Sequence, residues 1–274
     1  MKHIWLHHVK RRFALCQIVL MFVAFAIGTF TFLFEITLKK RAAIALQNSS
    51  LPNPNQDYQK INNIAKQVTV RLWSTSPIGS GTILKHIDGV YTVLTSAHVL
   101  KAGKSPYTVQ TPDNKRYLVE RILETQYQKD VVLLQFRKLQ TNYSVANIGR
   151  IDRLVAGEKI YAAGFPLNIR PKIGYQLGNQ LTFREGSFVV LLDKPLKDGY
   201  RLAYTTPVDL GMSGGGIFNK RGEIIGINGL RDDPIWDIPM KYEDGTEPSS
   251  AIQKMIFRAS IGIPIQDILY VFSD

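Results

Sequence analysis

The strongest constraint on the fold is a succession of short apolar segments, separated by turns, that begins at Val68 and continues towards the C-terminus. Several of these segments are almost continuously apolar, as strands buried on both faces are, and no long amphipathic helix lies between them. The pattern predicts an all-β fold, either a barrel or a sandwich. The predicted strands cover residues 68–74, 81–84, 90–95, 107–110, 116–123, 131–136, 159–163, 172–183, 187–192, 201–205, 215–218, 223–230 and 256–261.

The chain is large enough to bury a substantial core, since it has 274 residues, of which 45% are hydrophobic. Its one cysteine, Cys16, lies in an apolar N-terminal segment, so neither an intramolecular disulfide nor a cysteine-based zinc site can form within the chain. The five histidines are not at metal-ligand spacing. We therefore expect no metal and no cofactor.

The formal net charge is +12, and half of this excess belongs to residues 1–65, which hold 8 of the 34 Lys and Arg residues but only Glu35 and Asp57 as acids. The remaining chain therefore carries a modest net charge. It has no basic stripe interleaved with aromatic residues, which argues against nucleic-acid binding.

Residues 13–34 form an apolar segment of 22 residues without a charge, flanked by three basic residues at 10–12 and three more at 39–41. As a helix this segment would rise about 33 Å, enough to cross a bilayer. The alternatives are a buried core helix or a cleaved signal peptide, but the apolar region of a signal peptide is usually only about 7–15 residues long. We expect an uncleaved single-pass transmembrane anchor that binds the lipid bilayer.

The sequence thus divides into a short basic tail (1–12), the anchor (13–34), a juxtamembrane segment and linker (35–65) and a folded domain (66–274). The short basic tail favours a cytoplasmic N-terminus. The folded domain is then expected on the exported side of the membrane, whether periplasmic, lumenal or extracellular.

The segment 211–216 reads Gly-Met-Ser-Gly-Gly-Gly and presents Ser213 among residues that can turn through positive φ. A serine hydroxyl needs an adjacent base to become a nucleophile, and uncovered amides beside it can receive an oxyanion. His98 follows the apolar segment 90–94, and Asp130 directly precedes the apolar segment 131–134. Each residue alone is more often structural, but His, Asp and Ser in this order match one known arrangement of the catalytic triad.

Five segments together resemble the trypsin-like serine proteases, most closely the bacterial HtrA/Deg-type branch, over about residues 66–272. They occur in the family order: Gly-Ser-Gly-Thr at 79–82, Thr-Ser-Ala-His at 95–98, Asp-Val-Val-Leu-Leu at 130–134, Ala-Gly-Phe-Pro at 163–166 and Gly-Met-Ser-Gly-Gly at 211–215. The resemblance implies two packed six-stranded β-barrels of the chymotrypsin type, which meet near residues 143–152, and a short C-terminal helix over 265–272. We expect no appended PDZ domain after this helix.

The resemblance also implies a serine endopeptidase that acts on polypeptides through a Ser213, His98 and Asp130 triad. The backbone N–H groups of Gly211 and Ser213 would form the oxyanion hole. Met212 stands where many trypsin-like enzymes carry an acid that pairs with a newly cut N-terminus, so activation by such a cut is not expected.

Substrate contacts are expected from the segment before the nucleophile and from the strand after it, at Thr206, Asn228 and Gly229. Pro207 stands where trypsin-type enzymes carry a pocket aspartate, so a strict preference for Arg or Lys is not supported. A catalytically silent trypsin-fold module that binds peptides or partner proteins remains the alternative. An α/β-hydrolase is excluded because no histidine follows Ser213. The oligomeric state does not follow from the sequence.

Overall fold

The computed structural model describes residues 29, 32–41, 54–124, 129–139, 142–170, 174–177, 180–230 and 241–271. The chain divides into two compact units, Met1–Asn53 and Pro54–Asp274. In the first unit residues 32–41 are helical and exposed. The predicted anchor 13–34 lies outside the described residues, apart from positions 29 and 32–34. Among the helices of the described ranges, none is both long enough and apolar enough to span a membrane.

The second unit opens with helix α1 (Pro54–Val68), which carries Asp57 in its first turn and Lys66 in its last. Both charges are placed favourably with respect to the helix dipole. Ile61, Ala65 and Val68 are buried on one face of the helix and belong to the core of the second unit. Part of the segment interpreted as a linker is therefore helical and packed against the β-structure.

Replacing Ile61 by alanine is expected to lower the free energy of unfolding by about 2–4 kcal/mol, because its side chain is only 1% exposed and the substitution leaves a cavity. Denaturant unfolding measures this change. The neighbouring Asn63 is exposed, so the control substitution Asn63→Ala is expected to change the same free energy by no more than about 0.5 kcal/mol. Equal effects of the two substitutions would mean that α1 does not contribute to the core.

The strands of the first half of the second unit are β1 (Thr69–Trp73), β2 (Pro77–Ile87), β3 (Val90–Thr95), β4 (Thr108–Gln110), β5 (Arg116–Leu118), β6 (Arg121–Glu124) and β7 (Val132–Arg137). They form one antiparallel sheet with the order β5-β4-β1-β2-β3-β7-β6. A short helix, α2 (Ala97–Lys101), follows β3. Buried aliphatic and aromatic side chains of β1 to β4, β7 and α2 form the core of this half.

The prediction of a closed six-stranded barrel is wrong for this half, because β5 and β6 replace the single strand predicted over 116–123. The N–H of Val119 donates to the carbonyl of Tyr107, whereas the N–H of the next residue, Glu120, donates to the carbonyl of Gln135. The chain thus crosses from the β4 edge to the β7 edge in two residues. The hydrogen-bond ladder is interrupted at this crossing, and the sheet forms a half-barrel rather than a closed one.

The strands of the second half are β8 (Lys159–Gly164), β9 (Leu167–Arg170), β10 (Gly174–Leu177), β11 (Thr182–Leu196), β12 (Tyr200–Tyr204), β13 (Gly216–Asn219), β14 (Ile224–Leu230) and β15 (Ser260–Pro264). Six of them form a closed barrel in the order β11-β12-β15-β14-β13-β8, which confirms the prediction for this half. The strands β9 and β10 pair with each other and come between β8 and β11 in the sequence. Helices α3 (Ser250–Ile256) and α4 (Ile265–Val271) flank the last strand.

Several boundaries in this half differ from the sequence analysis, since β9 was not predicted and β11 extends beyond the predicted strand 187–192. The predicted strand 172–183 is divided between β10 and the start of β11. The predicted strand 256–261 is replaced by α3 and by β15, because the side chain of Ser249 accepts a hydrogen bond from the N–H of Ile252 and caps a helix. The expected C-terminal helix is present as α4.

Candidate active site

His98 is the second residue of α2, directly after the end of β3. The next two side chains, Val99 and Leu100, are buried in the core and fix the helix against the sheet. The His98 side chain points the other way and is 45% exposed. Its position therefore combines a rigid backbone with a ring that a substrate can reach.

Asp130 lies just before β7 and is only 8% exposed. Its Oδ1 accepts a hydrogen bond of 2.7 Å from the backbone N–H of His98, and its Oδ2 lies 2.5 Å from Nδ1 of the same ring. An ionised carboxylate can only accept hydrogen bonds, so Nδ1 carries the proton. The other ring nitrogen, Nε2, is then the basic atom of the neutral imidazole.

Tyr200, at the start of β12, donates a hydrogen bond from its phenol to the same Oδ2 of Asp130. The side chain is buried, and Gly229 allows this packing, since a Cβ at Gly229 would lie 2.1 Å from the Tyr200 ring. The pKa of the Tyr200 phenol is raised well above its ordinary value, first by burial and then by the charge of Asp130. Sequence reasoning missed this residue, because nothing local distinguishes it from a core tyrosine.

Replacing Tyr200 by phenylalanine is expected to lower the free energy of unfolding by about 1.5–3 kcal/mol, the range for a hydrogen bond to a charged group. We also expect kcat to fall about tenfold, because Asp130 loses one of the contacts that orient it towards His98. Denaturant unfolding and peptide hydrolysis measure the two effects. The exposed Tyr270 provides the control substitution Tyr270→Phe, for which little change is expected in either.

The stabilisation by Tyr200 is expected to depend on pH in one direction. Its pKa is higher in the folded chain than in the unfolded chain, so the contribution is complete below about pH 10 and is lost as the pH rises above that value. The difference in unfolding free energy between the wild type and Tyr200→Phe should therefore be constant from neutral pH up to about pH 9 and then shrink. A difference that grows with pH would contradict this assignment.

Ser213 lies in a turn that packs against the residues preceding His98. The N–H of Ser80 donates to the carbonyl of Ser213 at 3.0 Å. Gly214 has a φ of +79° and approaches Thr95 and Ser96 so closely that a Cβ would lie 2.2 Å from Thr95 Oγ1. The nucleophile candidate is thereby held beside the β3–α2 junction. Within the described part of the chain, the structure has no hydrogen bond between the Ser213 hydroxyl and the His98 ring.

Gly211 adopts a φ of +92°, and a Cβ there would lie 2.7 Å from the carbonyl oxygen of Phe165. The carbonyl of Leu210 accepts a hydrogen bond from the N–H of Leu167 at 2.7 Å. Because the peptide is planar and trans, the N–H of Gly211 points the opposite way. Among the residues that the structure describes, neither this amide nor that of Ser213 has a backbone acceptor. Both amides can therefore donate to an oxyanion.

The three predicted substrate contacts, Thr206, Asn228 and Gly229, are all buried. The Asn228 side chain donates to the carbonyls of Ala163 and Met212 and accepts from the Tyr204 phenol. These hydrogen bonds connect Asn228 to the Ser213 turn at Met212 and to β8 at Ala163, and so hold the turn in place. The Thr206 Oγ1 is buried and has no hydrogen-bond partner among the described residues.

The segment 79–227, more than half of the chain, matches the family model of the trypsin-like peptidase domain. The chain belongs to this family. Its relatives include a putative serine protease HhoB of Synechocystis sp., 34% identical over 150 residues, which are 55% of this chain and 33% of the relative. A probable periplasmic serine endoprotease DegP-like of Marinomonas sp. is 28% identical over 202 residues, which are 70% of this chain and 39% of the relative.

A solved structure described as the HtrA-type protease AlgW with decapeptide superposes with a TM-score of 0.58 at 18% identity, covering 79% of this chain and 66% of that chain. This similarity shows that the trypsin-like domain has a chymotrypsin-like fold. The resemblance to the HtrA branch is confirmed by these comparisons. The chain spans about a third of the length of these two curated relatives.

Proposed function

We propose that this chain is a serine endopeptidase that hydrolyses polypeptides through an acyl-enzyme on Ser213. The observation that carries the proposal is the pair of contacts between His98 and Asp130, 2.5 Å at the ring and 2.7 Å at the backbone, directly beside the Ser213 turn. The relatives named as serine proteases support the same reaction class.

In this mechanism His98 Nε2 takes the proton of the Ser213 hydroxyl as Oγ attacks the peptide carbonyl. Asp130 holds the ring tautomer and stabilises the imidazolium that forms. The amides of Gly211 and Ser213 bind the oxyanion, and each such donor contributes about 3 kcal/mol to transition-state stabilisation. His98 then protonates the leaving amine, and a water molecule hydrolyses the acyl-enzyme with His98 as its base.

Labelling with a fluorophosphonate tests the proposal, because this reagent reacts only with an activated serine. The purified full-length chain should incorporate the label at Ser213, as located by mass spectrometry of its peptides, and should cleave an unfolded protein such as casein. Label on another serine would refute the assignment of the nucleophile.

One observation favours a second function, a silent trypsin-fold module that binds peptides. The described structure has no hydrogen bond between the Ser213 hydroxyl and His98. Such contacts often tighten only when a substrate binds, so the catalytic proposal does not require it beforehand. Absence of both labelling and cleavage, with casein binding retained, would support the silent module.

We also propose that residues 13–34 anchor the chain in a membrane, with the N-terminus cytoplasmic and the trypsin-like domain on the exported side. The support is the run of 22 uncharged residues between two basic clusters. At the end of this segment, Phe32, Leu33 and Phe34 present exposed apolar side chains. A helix of such residues gains free energy by entering lipid.

Extraction of cell membranes tests the anchor. The full chain should remain in the membrane pellet in alkaline carbonate and dissolve only in detergent, whereas a chain that lacks residues 1–41 should be released by carbonate. A protease added from the exported side should digest the trypsin-like domain. Release of the full chain by carbonate would refute the anchor, and protection from the added protease would refute the orientation.

A further inference from the structure

A cavity of about 890 Å³ lies outside the candidate active site, between helix α1, strand β1, the β4–β5 turn and the segments on either side of the β9–β10 hairpin. Its volume is within the range of protein sites for small ligands, about 300–1,000 Å³. Its described lining consists of Tyr58, Asn62, Lys66, Arg71, Gln110, Thr111, Pro112, Asn114, Phe165, Gln180, Leu181 and Phe183.

The cavity is positively charged. Lys66 and Arg71 both line it, and the described lining contains no carboxylate. Arg71 is only 4% exposed, and its guanidinium lies 4.5 Å from the centre of the Phe165 ring. The pKa of Arg71 is lowered, first by burial and then by the like charge of Arg116. Solvent would only weakly screen the attraction of the buried Arg71 for an anion in this cavity, whereas Lys66 is exposed and would attract the anion less strongly.

The remaining lining suits a peptide better than a bare anion. Four side-chain amides, those of Asn62, Gln110, Asn114 and Gln180, line the cavity, and an amide can both donate and accept hydrogen bonds, as the groups of a peptide backbone require. The Gln110 amide already accepts from Trp73 Nε1 and donates to Asn114 Oδ1, so Asn62 and Gln180 are the amides best placed to bind a peptide. The Asn62 Oδ1 is buried without a partner in the described part of the chain. Aromatic side chains add apolar walls, so the cavity combines cations, amides and rings.

The cavity is connected through Phe165 to the segment 211–213, which carries the two candidate oxyanion amides and is called the oxyanion loop below. The Phe165 ring packs against the guanidinium of Arg71, and the Phe165 N–H donates a hydrogen bond to Ser80 Oγ at 2.8 Å. The same Ser80 hydroxyl donates to the carbonyl of Gly211 at 2.7 Å. A ligand that fixes Arg71 and Phe165 therefore also fixes the backbone that carries the Gly211 amide.

We propose that this cavity binds an acidic peptide, with a peptide carboxylate against Lys66 and Arg71, and that binding stabilises the oxyanion loop through Phe165 and Ser80. The binding itself is independent of the proposed function. The effect on the loop rests on that function, so the two parts are tested by separate measurements.

Binding is measured with a fluorescent form of the peptide acetyl-Glu-Phe-Glu-Phe-amide and the full-length Ser213→Ala variant, which prevents hydrolysis of the probe. We expect saturable binding that weakens as the salt concentration rises. The neutral analogue acetyl-Gln-Phe-Gln-Phe-amide should bind at least tenfold more weakly (about 1.4 kcal/mol). Equal binding of the neutral analogue would overturn the proposal, and displacement by equimolar inorganic phosphate would reduce the site to a simple anion site and overturn the peptide assignment.

A matched pair of substitutions on α1 tests whether the fluorescent peptide binds in this cavity. Lys66 lines the cavity, whereas Lys60 is exposed on the same helix and does not line it. Lys66→Gln is expected to weaken binding about threefold, as for a solvent-exposed ion pair, and Lys60→Gln to leave it unchanged. Arg71→Met, in a chain shown to be folded by its thermal transition, should weaken binding by more than about tenfold. Equal losses for the two lysine variants would assign the effect to overall charge and overturn the site.

The effect on the loop is measured in the wild type by the rate of fluorophosphonate labelling. Saturating acidic peptide should raise this rate about fivefold or more, and Lys66→Gln should require more peptide for the same rise. A slower rate would mean that the peptide competes in the active-site cleft, and an unchanged rate despite binding would overturn the coupling. If the wild type does not label at all, the proposed function fails, while the binding measurements still decide on the cavity.

Discussion

Replacing Ser213 by alanine is expected to lower kcat for a peptide substrate by about 10⁶-fold, the loss seen when a catalytic serine is removed from a triad. The reason is that no other group can form the acyl-enzyme. The substrate should still bind with similar affinity, because the binding surfaces and the oxyanion amides remain. Single-turnover kinetics with a fluorogenic peptide, together with fluorophosphonate labelling, measure the change.

The turn that carries Ser213 should keep its conformation in this variant, since it is held by backbone contacts with Ser80 and Asn228 rather than by the hydroxyl. The thermal transition of Ser213→Ala should therefore match that of the wild type. Ser76 is an exposed serine outside the site, and Ser76→Ala should retain full activity and labelling. Substantial hydrolysis by Ser213→Ala would mean that another residue is the nucleophile.

The sequence was informative about the site where chemistry requires particular residues next to glycines. His98, Asp130 and the Ser213 turn each follow or precede a strand, and the structure brings His98 and Asp130 into hydrogen-bond contact as expected. The Tyr200 phenol could not be foreseen, because its contact with Asp130 joins residues 70 positions apart. Nothing in a local pattern specifies which core tyrosine reaches a buried carboxylate.

The fold, like the site, was predictable in part from the sequence. The apolar strand pattern predicted an all-β fold, and the resemblance to the trypsin-like proteases added the closed barrel found in the second half. The half-barrel of the first half depends on two consecutive donors, Val119 and Glu120, that face opposite edges. Strand periodicity does not record such a change of partner. The contribution of α1 was also missed, since Ile61, Ala65 and Val68 find their core only in the folded unit.

Replacing Asp130 by asparagine is expected to lower kcat by about 10⁴-fold, because the amide no longer enforces the Nδ1–H tautomer of His98. Asparagine has nearly the same shape, so the contact between Oδ1 and the His98 backbone N–H can persist and the fold should be retained. Asp198 provides the control, since it is exposed, adopts a φ of +65° that asparagine tolerates, and lies beside Asp130. Asp198→Asn should retain activity within about threefold, since surface changes are usually small.

The same substitution decides how Tyr200 acts. If Tyr200 only orients Asp130, Tyr200→Phe should lower kcat about tenfold in the wild type. In Asp130→Asn the same substitution should have almost no further effect on kcat, because the side chain at position 130 no longer controls the His98 tautomer and its orientation no longer matters for catalysis. Four kinetic measurements complete this double-mutant cycle. Additive losses would mean that Tyr200 contributes independently of the carboxylate. A large loss of activity in Asp198→Asn would instead assign the effect of Asp130→Asn to charge alone. Tautomer control by Asp130 therefore predicts two results together: strong coupling between Asp130 and Tyr200, and nearly unchanged activity in Asp198→Asn.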